Sequence, residues 1–491
     1  MNATNNSEAF KRLTEALDDK IPFRSIHVWI ISLIALGALF DGMEQFASGY
    51  VAPILRIEWN LTDTAVGYMT SVTFIGLALG AIIAGVVADR FGRKVTFMYN
   101  LGLYTIGALV CALAPNLEVF LIARFFVGIG LGGELNVGVT MLSELMPTRR
   151  RGAATAVANI ACGGLGLFAS AALAALILSP GVAAVLGGPS VAWRWYIGFL
   201  AVPALLIFIY RIFLPETPRY LLTMGRVRET NVALTQLYRN ELRQRKDAEI
   251  IDFVPRDTRI TSTERQRARI TPILRGRMLR NSIILWIIAL MAFGAQIGLN
   301  AFLPTILTDR GIPVEQTLLY TMIINIGGFI GGVLAAVGGR YWARRTVLTL
   351  AGLAAAVLSV LFTVAGSNVP LLLITGLLLQ MMMITVNTTA WLYSPELYST
   401  RVRGIGTGAF MMMTAVAGSI TPVLIGSISG QFGLESIFIV IPFMYLVLIV
   451  AVRFGAETLG KSLEELSDIA DGRFFRRDDS EPSATAPSTP T

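Results

Sequence analysis

Apolar stretches of about 20 residues recur along the whole chain and are separated mostly by short polar segments. About twelve of them can be counted, and each is long enough to cross the hydrocarbon core of a bilayer as an α-helix. Of the 491 residues, 54% are hydrophobic and 15% are charged, whereas a soluble domain carries about 25% charged residues. These features exclude a globular cytosolic enzyme and predict an all-α membrane protein with twelve transmembrane helices. The predicted spans are 27–54, 65–88, 95–114, 118–145, 153–179, 193–214, 282–307, 316–338, 345–365, 369–395, 404–430 and 434–454.

A long hydrophilic stretch in the middle divides the spans into two sets of six. The predicted organisation is a cytoplasmic N-terminal segment at 1–26, a six-helix bundle at 27–214, a central cytoplasmic loop at 215–281, a second six-helix bundle at 282–454 and a cytoplasmic tail at 455–491. The charges of the central loop predict short surface helices there. The end of the tail is rich in Ser, Pro and Thr, so we expect it to be disordered.

Basic residues are concentrated in alternate loops, which predicts the orientation in the membrane. By the positive-inside rule, both termini and the central loop are cytoplasmic. The net charge of +8 therefore reflects topology, and we expect no nucleic-acid partner. The interpretation is a multi-pass, monomeric protein of the cell (inner) membrane, in contact with the lipid bilayer. Outside the central loop, the basic loops contain Arg90, Arg93, Lys94, Arg149, Arg150, Arg151, Arg340, Arg344, Arg345, Arg401 and Arg403.

The two halves of the chain contain an internal repeat. After the fourth predicted span the chain reads SELMPTRRRG at 143–152, and after the tenth it reads PELYSTRVRG at 395–404. The glutamates of the two copies are 252 residues apart (144 to 396), and so are the last arginines (151 to 403). Parallel repeats of this kind are typical of transporters in which a central site alternates its access as one half rocks on the other.

Four short motifs resemble known transporter signatures. The sequence GVVADRFGRK at 85–94 resembles the signature loop of the major facilitator superfamily. The sequences RFFVGIGLG at 124–132, PETPR at 215–219 and ETLGKSLEE at 457–465 resemble the sugar-porter and organic-ion branch. The resemblance implies the major facilitator fold, with two parallel six-helix repeats, and a transporter rather than an enzyme.

The signature loop supplies charges that we expect to pair with cytoplasmic helix ends when the inner gate is shut and to separate when it opens. Its second copy at 338–345 keeps the cations but lacks the acid and one glycine, which predicts that the first-half loop is the stronger latch. The alternative is that these charges only set topology, because exposed ion pairs contribute little. The predicted gate residues are Asp89, Arg90, Arg93, Glu144, Arg151, Glu396 and Arg403.

Two motifs resemble nucleotide-binding sequences in the wrong context. The sequence GAETLGKS at 455–462 matches the Walker A pattern, but that pattern requires a preceding strand within an α/β domain. GIGLGG at 128–133 lies in an apolar helix, where glycines favour close packing. Two cysteines and the single His27 suggest neither a disulfide framework nor a metal site. We therefore expect no cofactor and no metal, and energy drawn from an ion or substrate gradient.

Four ionisable residues at membrane depth, all in the first half, are the candidates for proton coupling: Asp41, Glu44, Arg124 and Glu134. A proton switch needs an acid whose cation partner is present in one state and absent in the other. In sugar porters a first-helix acid interacts with a fourth-helix arginine, and Glu44 with Arg124 fits that spacing if one residue of slippage is allowed. Asp41 is the next candidate; the alternative is a structural acid that pairs permanently with Arg124. Glu134 suits a latch as well as a ligand or proton contact.

The second half offers amide and aromatic side chains instead. Phe293, Gln296 and Asn300 share one face of the seventh span, and Gln380, Asn387 and Trp391 share one face of the tenth. Family folds place the first, fourth, seventh and tenth spans around a central cavity. Such a cavity suits a small, flat organic molecule that forms hydrogen bonds. The predicted substrate-binding residues are Phe293, Gln296, Asn300, Asn325, Asn387 and Trp391.

The sequence FDG at 40–42 followed by an acid, and Gly133 followed by Glu134, resemble bacterial aromatic-acid and nicotinate proton symporters. The first hypothesis is therefore proton-coupled import of a small organic acid whose carboxylate Arg124 attracts. The alternatives are a sugar or polyol porter, favoured by PETPR at 215–219 and the amides, and an organic cation transporter, favoured by the buried acids. A sensor or scaffold with a transporter fold is a further alternative, although no appended domain suggests signalling.

Overall fold

The computed structural model describes residues 2–202, 209, 213–242, 249–256, 258, 271–338, 341–399 and 402–458. Its α-helices, in chain order, are α1 (Asn2–Glu15), α2 (Ser25–Gln45), α3 (Ala47–Glu58), α4 (Asp63–Phe91), α5 (Arg93–Ala112), α6 (Leu117–Leu145), α7 (Thr148–Ile160), α8 (Gly166–Ile177), α9 (Pro180–Val185), α10 (Pro189–Phe199), α11 (Pro218–Thr223), α12 (Val227–Arg239), α13 (Gly276–Asp309), α14 (Val314–Gly338), α15 (Arg344–Val364), α16 (Val369–Tyr393), α17 (Arg403–Phe432) and α18 (Ile437–Arg453). Two π-helical segments, Ala16–Lys20 and Ala161–Leu165, and three 3₁₀ turns, Thr271–Leu274, Ser394–Glu396 and Leu434–Ser436, complete the elements.

Eleven helical segments of the described chain are long and apolar enough to cross a membrane. The predicted sixth span, 193–214, begins in α10, but residues 203–208 and 210–212 lie outside the described part. The short surface helices predicted for the central loop are present as α11 and α12. Other predictions also fall outside the described residues: the basic residues at 243–246, 265, 267, 340 and 401, and the tail from 459 onward.

The predicted first span is not one continuous helix. It consists of α2 and α3, which are separated at Phe46, where φ is −112° and ψ is 8°. The interruption follows Glu44 by two residues, and the backbone carbonyl oxygen of Glu44 accepts a hydrogen bond from Arg124. The fifth span is likewise interrupted, by the π-helical segment Ala161–Leu165 between α7 and α8. Apolar periodicity does not reveal either interruption, because no proline lies at either break and an apolar helix continues beyond it.

The glycine-rich run 128–133 packs helix α6 against α4. A Cβ atom added to Gly128 would lie 2.0 Å from the carbonyl oxygen of Thr73, and one added to Gly132 would lie 2.0 Å from that of Leu77. No side chain fits at either position without moving the helices apart. The packing interpretation of this run is therefore confirmed.

The membrane segments run alternately in opposite directions between two ends of the bundle. We call the end that carries the 85–94 loop and both copies of the repeat motif the motif face, and the other end the far face. Near the far face α4 and α17 touch: a Cβ on Gly67 would lie 2.4 Å from the carbonyl oxygen of Pro422, and one on Gly426 would lie 2.5 Å from that of Asp63.

The same two helices diverge toward the motif face. Gly85 follows Gly67 by eighteen residues, and Gly408 precedes Gly426 by eighteen, which is about five full helical turns and returns each glycine to the same side of its helix. A Cβ at Gly85 or Gly408 would meet nothing within 4 Å. The two halves are thus packed together at the far face and separated along these helices at the motif face.

Candidate functional site

Glu44 and Arg124 form an ion pair in which both side chains are fully buried. Arg124 Nη1 donates to Glu44 Oε1, and Nη2 donates to the Glu44 carbonyl oxygen at 3.0 Å. The remaining Nε donates to Thr73 Oγ1 at 3.0 Å. One guanidinium therefore ties α2, α4 and α6 together. In this conformation the guanidinium is fully buried. Arg124 therefore cannot contact a substrate carboxylate here, although the sequence predicted that it attracts one.

Asp41 and Glu134 lie against each other on the facing sides of α2 and α6. Asp41 is 4% exposed and Glu134 is 0% exposed. Within the described part of the chain, no donor forms a hydrogen bond with any of their four carboxyl oxygens. Asp41 therefore has an acid as its neighbour, whereas Arg124 is bound to Glu44. The four buried ionisable groups are divided into a bonded ion pair and an acid pair, a division that the sequence did not reveal.

The amide side chains of the second half form two couples. Asn387 Nδ2 donates to Gln296 Oε1, and Gln380 Nε2 donates to Asn300 Oδ1 at 3.4 Å. Both couples join α13 to α16 and all four residues are buried. Among the described residues, Asn300 Nδ2, Asn387 Oδ1 and Gln380 Oε1 have no hydrogen-bond partner. Since buried polar groups are normally paired, one donor and two acceptors are left for a ligand.

Asn325 lies at the contact between the halves. Its Nδ2 donates to the hydroxyl of Tyr50 at 3.1 Å, and the Leu167 carbonyl oxygen is at 3.5 Å. Tyr50 is 2% exposed, and its own hydroxyl donates to the Leu167 carbonyl oxygen at 3.3 Å. Sequence reasoning did not identify Tyr50, because it lies on the short α3 segment, past the break in the first span.

Phe410 joins the two predicted aromatic residues. Its ring centroid lies 6.1 Å from that of Phe293, with an angle of 82° between the ring planes, and 6.3 Å from that of Trp391, with an angle of 78°. Edge-to-face contacts of this kind stabilise aromatic clusters. Phe410 is on α17, a helix that the sequence did not assign to the cavity.

The predicted gate residues at the motif face form ion pairs within each half. Arg93 Nε lies 3.4 Å from Glu144 Oε2, and Arg93 Nη1 lies 3.5 Å from Asp89 Oδ1. In the second half Arg344 Nη2 lies 3.1 Å from Glu396 Oε1. Separating the halves does not by itself break these pairs, contrary to the expectation from sequence. The second half therefore retains the counterpart of the Arg93–Glu144 pair, since Glu396 is the repeat copy of Glu144, although its loop lacks a copy of Asp89.

The other predicted gate residues make local contacts. The Arg90 guanidinium lies 5.4 Å from the centroid of the Phe91 ring. Arg151 Nε donates to the Met146 carbonyl oxygen and Arg403 Nε to that of Pro395, each at 3.0 Å. These arginines hold the chain around the two copies of the repeat motif.

Glu216, in the PETPR motif, holds the start of α5. Its Oε1 accepts hydrogen bonds from the backbone N–H groups of Arg93 at 3.0 Å, Lys94 at 3.2 Å and Thr217 at 2.9 Å. Burial raises the pKa of Glu216, and these three bonds together with the Arg93 charge oppose that rise. A carboxylate at the first turn of a helix also interacts favourably with the helix dipole.

The segment that resembles Walker A has a structural counterpart in the first half. Glu457 Oε1 accepts from the Thr458 N–H at 2.9 Å, as Glu216 does from Thr217, and the Thr458 hydroxyl donates to Glu396 at 2.5 Å. The segment follows helix α18 rather than a strand, so it lacks the context that a P-loop requires. Residues 459–462 of the motif lie outside the described residues.

Arg56 joins the halves at the far face. Its Nη1 lies 2.9 Å from Asp309 Oδ1 on α13, and its Nη2 lies 3.0 Å from Asp63 Oδ1 at the start of α4. Sequence reasoning noted Arg56 only as an exception among sparsely charged loops. Its partner in the other half is more than 250 residues away in the chain and could not be predicted.

The sequence model of the family described as "Sugar (and other) transporter" matches residues 21–470. The chain belongs to this family of the major facilitator superfamily. The transporter is 28% identical over 453 residues to the niacin transporter NiaP of Acinetobacter baylyi, an alignment that covers 91% of this chain and 98% of that protein. It is 26% identical over 416 residues to a D-xylose transporter of Levilactobacillus brevis, with 82% and 87% covered.

Solved structures confirm the fold of the transporter. The inward open conformation of the xylose transporter XylE from E. coli matches with a TM-score of 0.70 and 18% identity, covering 90% of this chain and 99% of that one. The predicted fold class, an all-α membrane protein with twelve helices in two parallel six-helix repeats, is thereby confirmed. The prediction of a membrane transporter rather than an enzyme is confirmed as well.

Replacing Arg56 by Gln should favour opening of the transporter at the far face. A partly exposed ion pair contributes about 0.2–1 kcal/mol, so losing the Arg56–Asp309 pair, which joins the halves, should shift the conformational equilibrium by up to about fivefold. The shift can be measured as a longer distance between spin labels at the exposed positions Leu113 and Phe432. Arg194→Gln is the matched control, because Arg194 pairs at 3.9 Å with Glu58 of its own half. An unchanged distance distribution in Arg56→Gln would show that this cluster does not hold the far face closed.

Proposed function

We propose that this transporter imports a small aromatic carboxylate of the nicotinate type together with protons, by alternating access across the cell (inner) membrane. The observation that carries the proposal is the pairing of buried acids in one half with unsatisfied amide atoms in the other. Asp41 and Glu134 provide ionisable groups at membrane depth, which are costly and therefore functional by default. The similarity to the niacin transporter, which covers 91% of this chain, supports the same substrate class.

The proposed substrate site uses Gln296, Asn300 and Asn387 with the aromatic cluster of Phe293, Trp391 and Phe410. A pyridine carboxylate presents a flat ring to the aromatic edges and acceptor atoms to an amide donor such as Asn300 Nδ2. Asn325, on the contact with Tyr50, links the site to the far face. Binding between the halves would favour the conformation in which both halves contact the same ligand.

In the proposed orientation the motif face and both termini are cytoplasmic, as the positive-inside rule predicts. The arrangement described here is then the inward-open state. The Arg56 cluster closes the outer side, and the pairs of Arg93 and Arg344 keep each half rigid as it moves. We propose that the monomer carries out the full cycle, because each chain contains both halves of the site.

A sugar or polyol porter is the second candidate. It is favoured by the D-xylose transporter relative and by the amide couples, since polyol hydroxyls need several donors and acceptors. The two candidates differ in ligand, so a thermal-shift panel of nicotinate, benzoate, xylose and a quaternary amine separates them, because a ligand that binds the native state stabilises it. Stabilisation by nicotinate and counterflow of labelled nicotinate into proteoliposomes are the results expected. Stabilisation by xylose alone, or by the amine alone, would reject the proposal.

Replacing Asn300 by Ala should weaken nicotinate binding by about tenfold, because Asn300 Nδ2 is the unpaired donor and loss of a buried hydrogen-bonding group that a ligand uses costs about 1–3 kcal/mol. The variant also leaves Gln380 Nε2 without its Asn300 acceptor. Binding can be followed by concentration-dependent thermal stabilisation. Ile283→Ala, at an exposed position of the same helix, is the control and should bind as the native protein does. Equal affinity in both variants would exclude Asn300 from the site.

A further inference from the structure

We infer that the coupled proton is held between Asp41 and Glu134, and that the Glu44–Arg124 ion pair positions the helices without carrying it. The inference rests on the proposed symport and names the site of its proton. It differs from the interpretation of the sequence, in which Glu44 with Arg124 was the coupled pair and Asp41 and Glu134 were secondary candidates.

The helix packing brings the two acids into register. Helices α2 and α6 run antiparallel, and two contacts mark their interface on either side of the acids. Toward the far face Glu44 meets Arg124. Toward the motif face a Cβ on Gly138 would lie 3.0 Å from Ile34 Cγ2. Asp41 and Glu134 fall between these contacts, so their proximity follows from the packing of the two helices.

The charged and titratable groups around the acid pair do not neutralise it. Glu44 adds negative charge, and Cys162, on the π-helical segment, lies near both acids. A Cβ on the neighbouring Gly42 would lie 1.9 Å from the Cys162 carbonyl oxygen, so α2 and this segment are in backbone contact. Among the described residues the cation near these acids is Arg124, and its Nε, Nη1 and Nη2 groups all bond to Glu44 or Thr73.

Two adjacent buried carboxylates without a cation repel each other, and one shared proton converts that repulsion into an O–H···O⁻ hydrogen bond. The buried arrangement described here is therefore the loaded state, with one proton and one negative charge in the pair. Release gives the proton to water and leaves both carboxylates ionised, which requires solvent to reach the pair. Protons taken up from one side and released to the other would then accompany the substrate, and the pair titrates as a unit.

The Glu44–Arg124 pair cannot exchange a proton as easily as the Asp41–Glu134 pair can. Arginine stays charged at every accessible pH, so protonating Glu44 would leave a fully buried cation without its counter-ion. Arg124 also bonds to the Glu44 carbonyl oxygen and to Thr73. Protonation of the Glu44 side chain would not break these two hydrogen bonds. This pair is suited to fixing α2, α4 and α6 so that Asp41 faces Glu134.

Asp41→Asn and Glu134→Gln test the inference. An amide at either position donates a hydrogen bond to the remaining carboxylate and reproduces the loaded pair permanently, with the same net charge. Both variants should therefore exchange labelled for unlabelled nicotinate across proteoliposomes but fail to accumulate it against a gradient. With a pH difference of about one unit, a 1:1 symporter accumulates its substrate about tenfold, whereas the variants should reach about equal concentrations on the two sides.

Three comparisons make the outcome decisive. Glu118→Gln, at the exposed start of α6, should accumulate nicotinate as the native protein does. Asp41→Glu and Glu134→Asp keep two acids and should restore accumulation at least in part. Accumulation by Asp41→Asn or Glu134→Gln, or the absence of rescue by both conservative variants, would overturn the assignment of the proton to this pair. If the native protein neither exchanges nor accumulates nicotinate, the proposed function itself fails, whatever the variants do.

Discussion

Replacing Glu44 by Gln is expected to destabilise the transporter by about 3–5 kcal/mol, the cost of removing one partner from a buried ion pair. The variant leaves Arg124, which is fully buried and bonded to both the side chain and the carbonyl oxygen of Glu44, with a neutral partner. The guanidinium cannot lose its proton. Its charge must then stay uncompensated or draw water into the interface of α2, α4 and α6. Unfolding in mixed detergent micelles would measure the loss.

Arg124→Gln should destabilise the transporter less than Glu44→Gln does. In Arg124→Gln the remaining carboxyl can take up a proton and become neutral, so the asymmetry between the two variants is itself a prediction. The double variant Glu44→Gln with Arg124→Gln should recover part of the stability, because neither charge is left alone. Glu118→Gln, an exposed acid on α6, is the control for acid removal. Equal stability of Glu44→Gln and the native protein would show that Arg124 has another counter-ion.

Replacing Gly426 by Leu is expected to prevent closure at the far face and to abolish most uptake. A Cβ there would lie 2.5 Å from the carbonyl oxygen of Asp63, and backbone cannot yield as a flexible side chain can. Helix α17 must move away from α4, so the conformation open to the far face becomes the populated one. A fall in uptake of at least about a hundredfold corresponds to a bias of about 3 kcal/mol, within the usual cost of overpacking.

The conformational shift has its own readout and a matched control. Val66, 1% exposed at this interface, can be replaced by Cys and labelled with a membrane-impermeant maleimide applied from the far face. Labelling should rise in Gly426→Leu. Gly430→Leu lies one turn further along the same helix, where a Cβ would meet nothing within 4 Å, and it should transport and label as the parent does. Equal behaviour of the two leucine variants would refute the proposed closure.

The fold could be predicted from the sequence because membrane spans are set by length and apolarity, which are local properties. The repeat at Glu144 and Glu396 gave the division into halves for the same reason. The pairing of Glu44 with Arg124 could also be predicted, since a buried cation needs a counter-ion and the choice was small. The far-face contact of Arg56 with Asp309 depends instead on how two halves meet, and no local pattern encodes it.

The arrangement of the site was only partly predictable. Membrane helices that are apolar on every side give weak periodicity, so the rotation of α6, which turns Glu134 toward Asp41, was not visible. The break at Phe46, which lets Arg124 reach the Glu44 carbonyl oxygen, has no glycine or proline beside it to announce it. Phe410 was missed because it lies on a helix that the sequence did not assign to the cavity, and Tyr50 was missed because it lies past the break in the first span.

Nicotinate and a proton should cross the membrane together. This coupling can be measured in proteoliposomes that start at equal pH on both sides, with a nicotinate gradient imposed inward and a pH-sensitive dye trapped in the lumen, against protein-free liposomes that report passive permeation. The gradient should acidify the lumen faster with protein than without, and Asp41→Asn should remove the difference. Labelled nicotinate entering through the protein with no acidification beyond that of the protein-free liposomes would contradict this coupling.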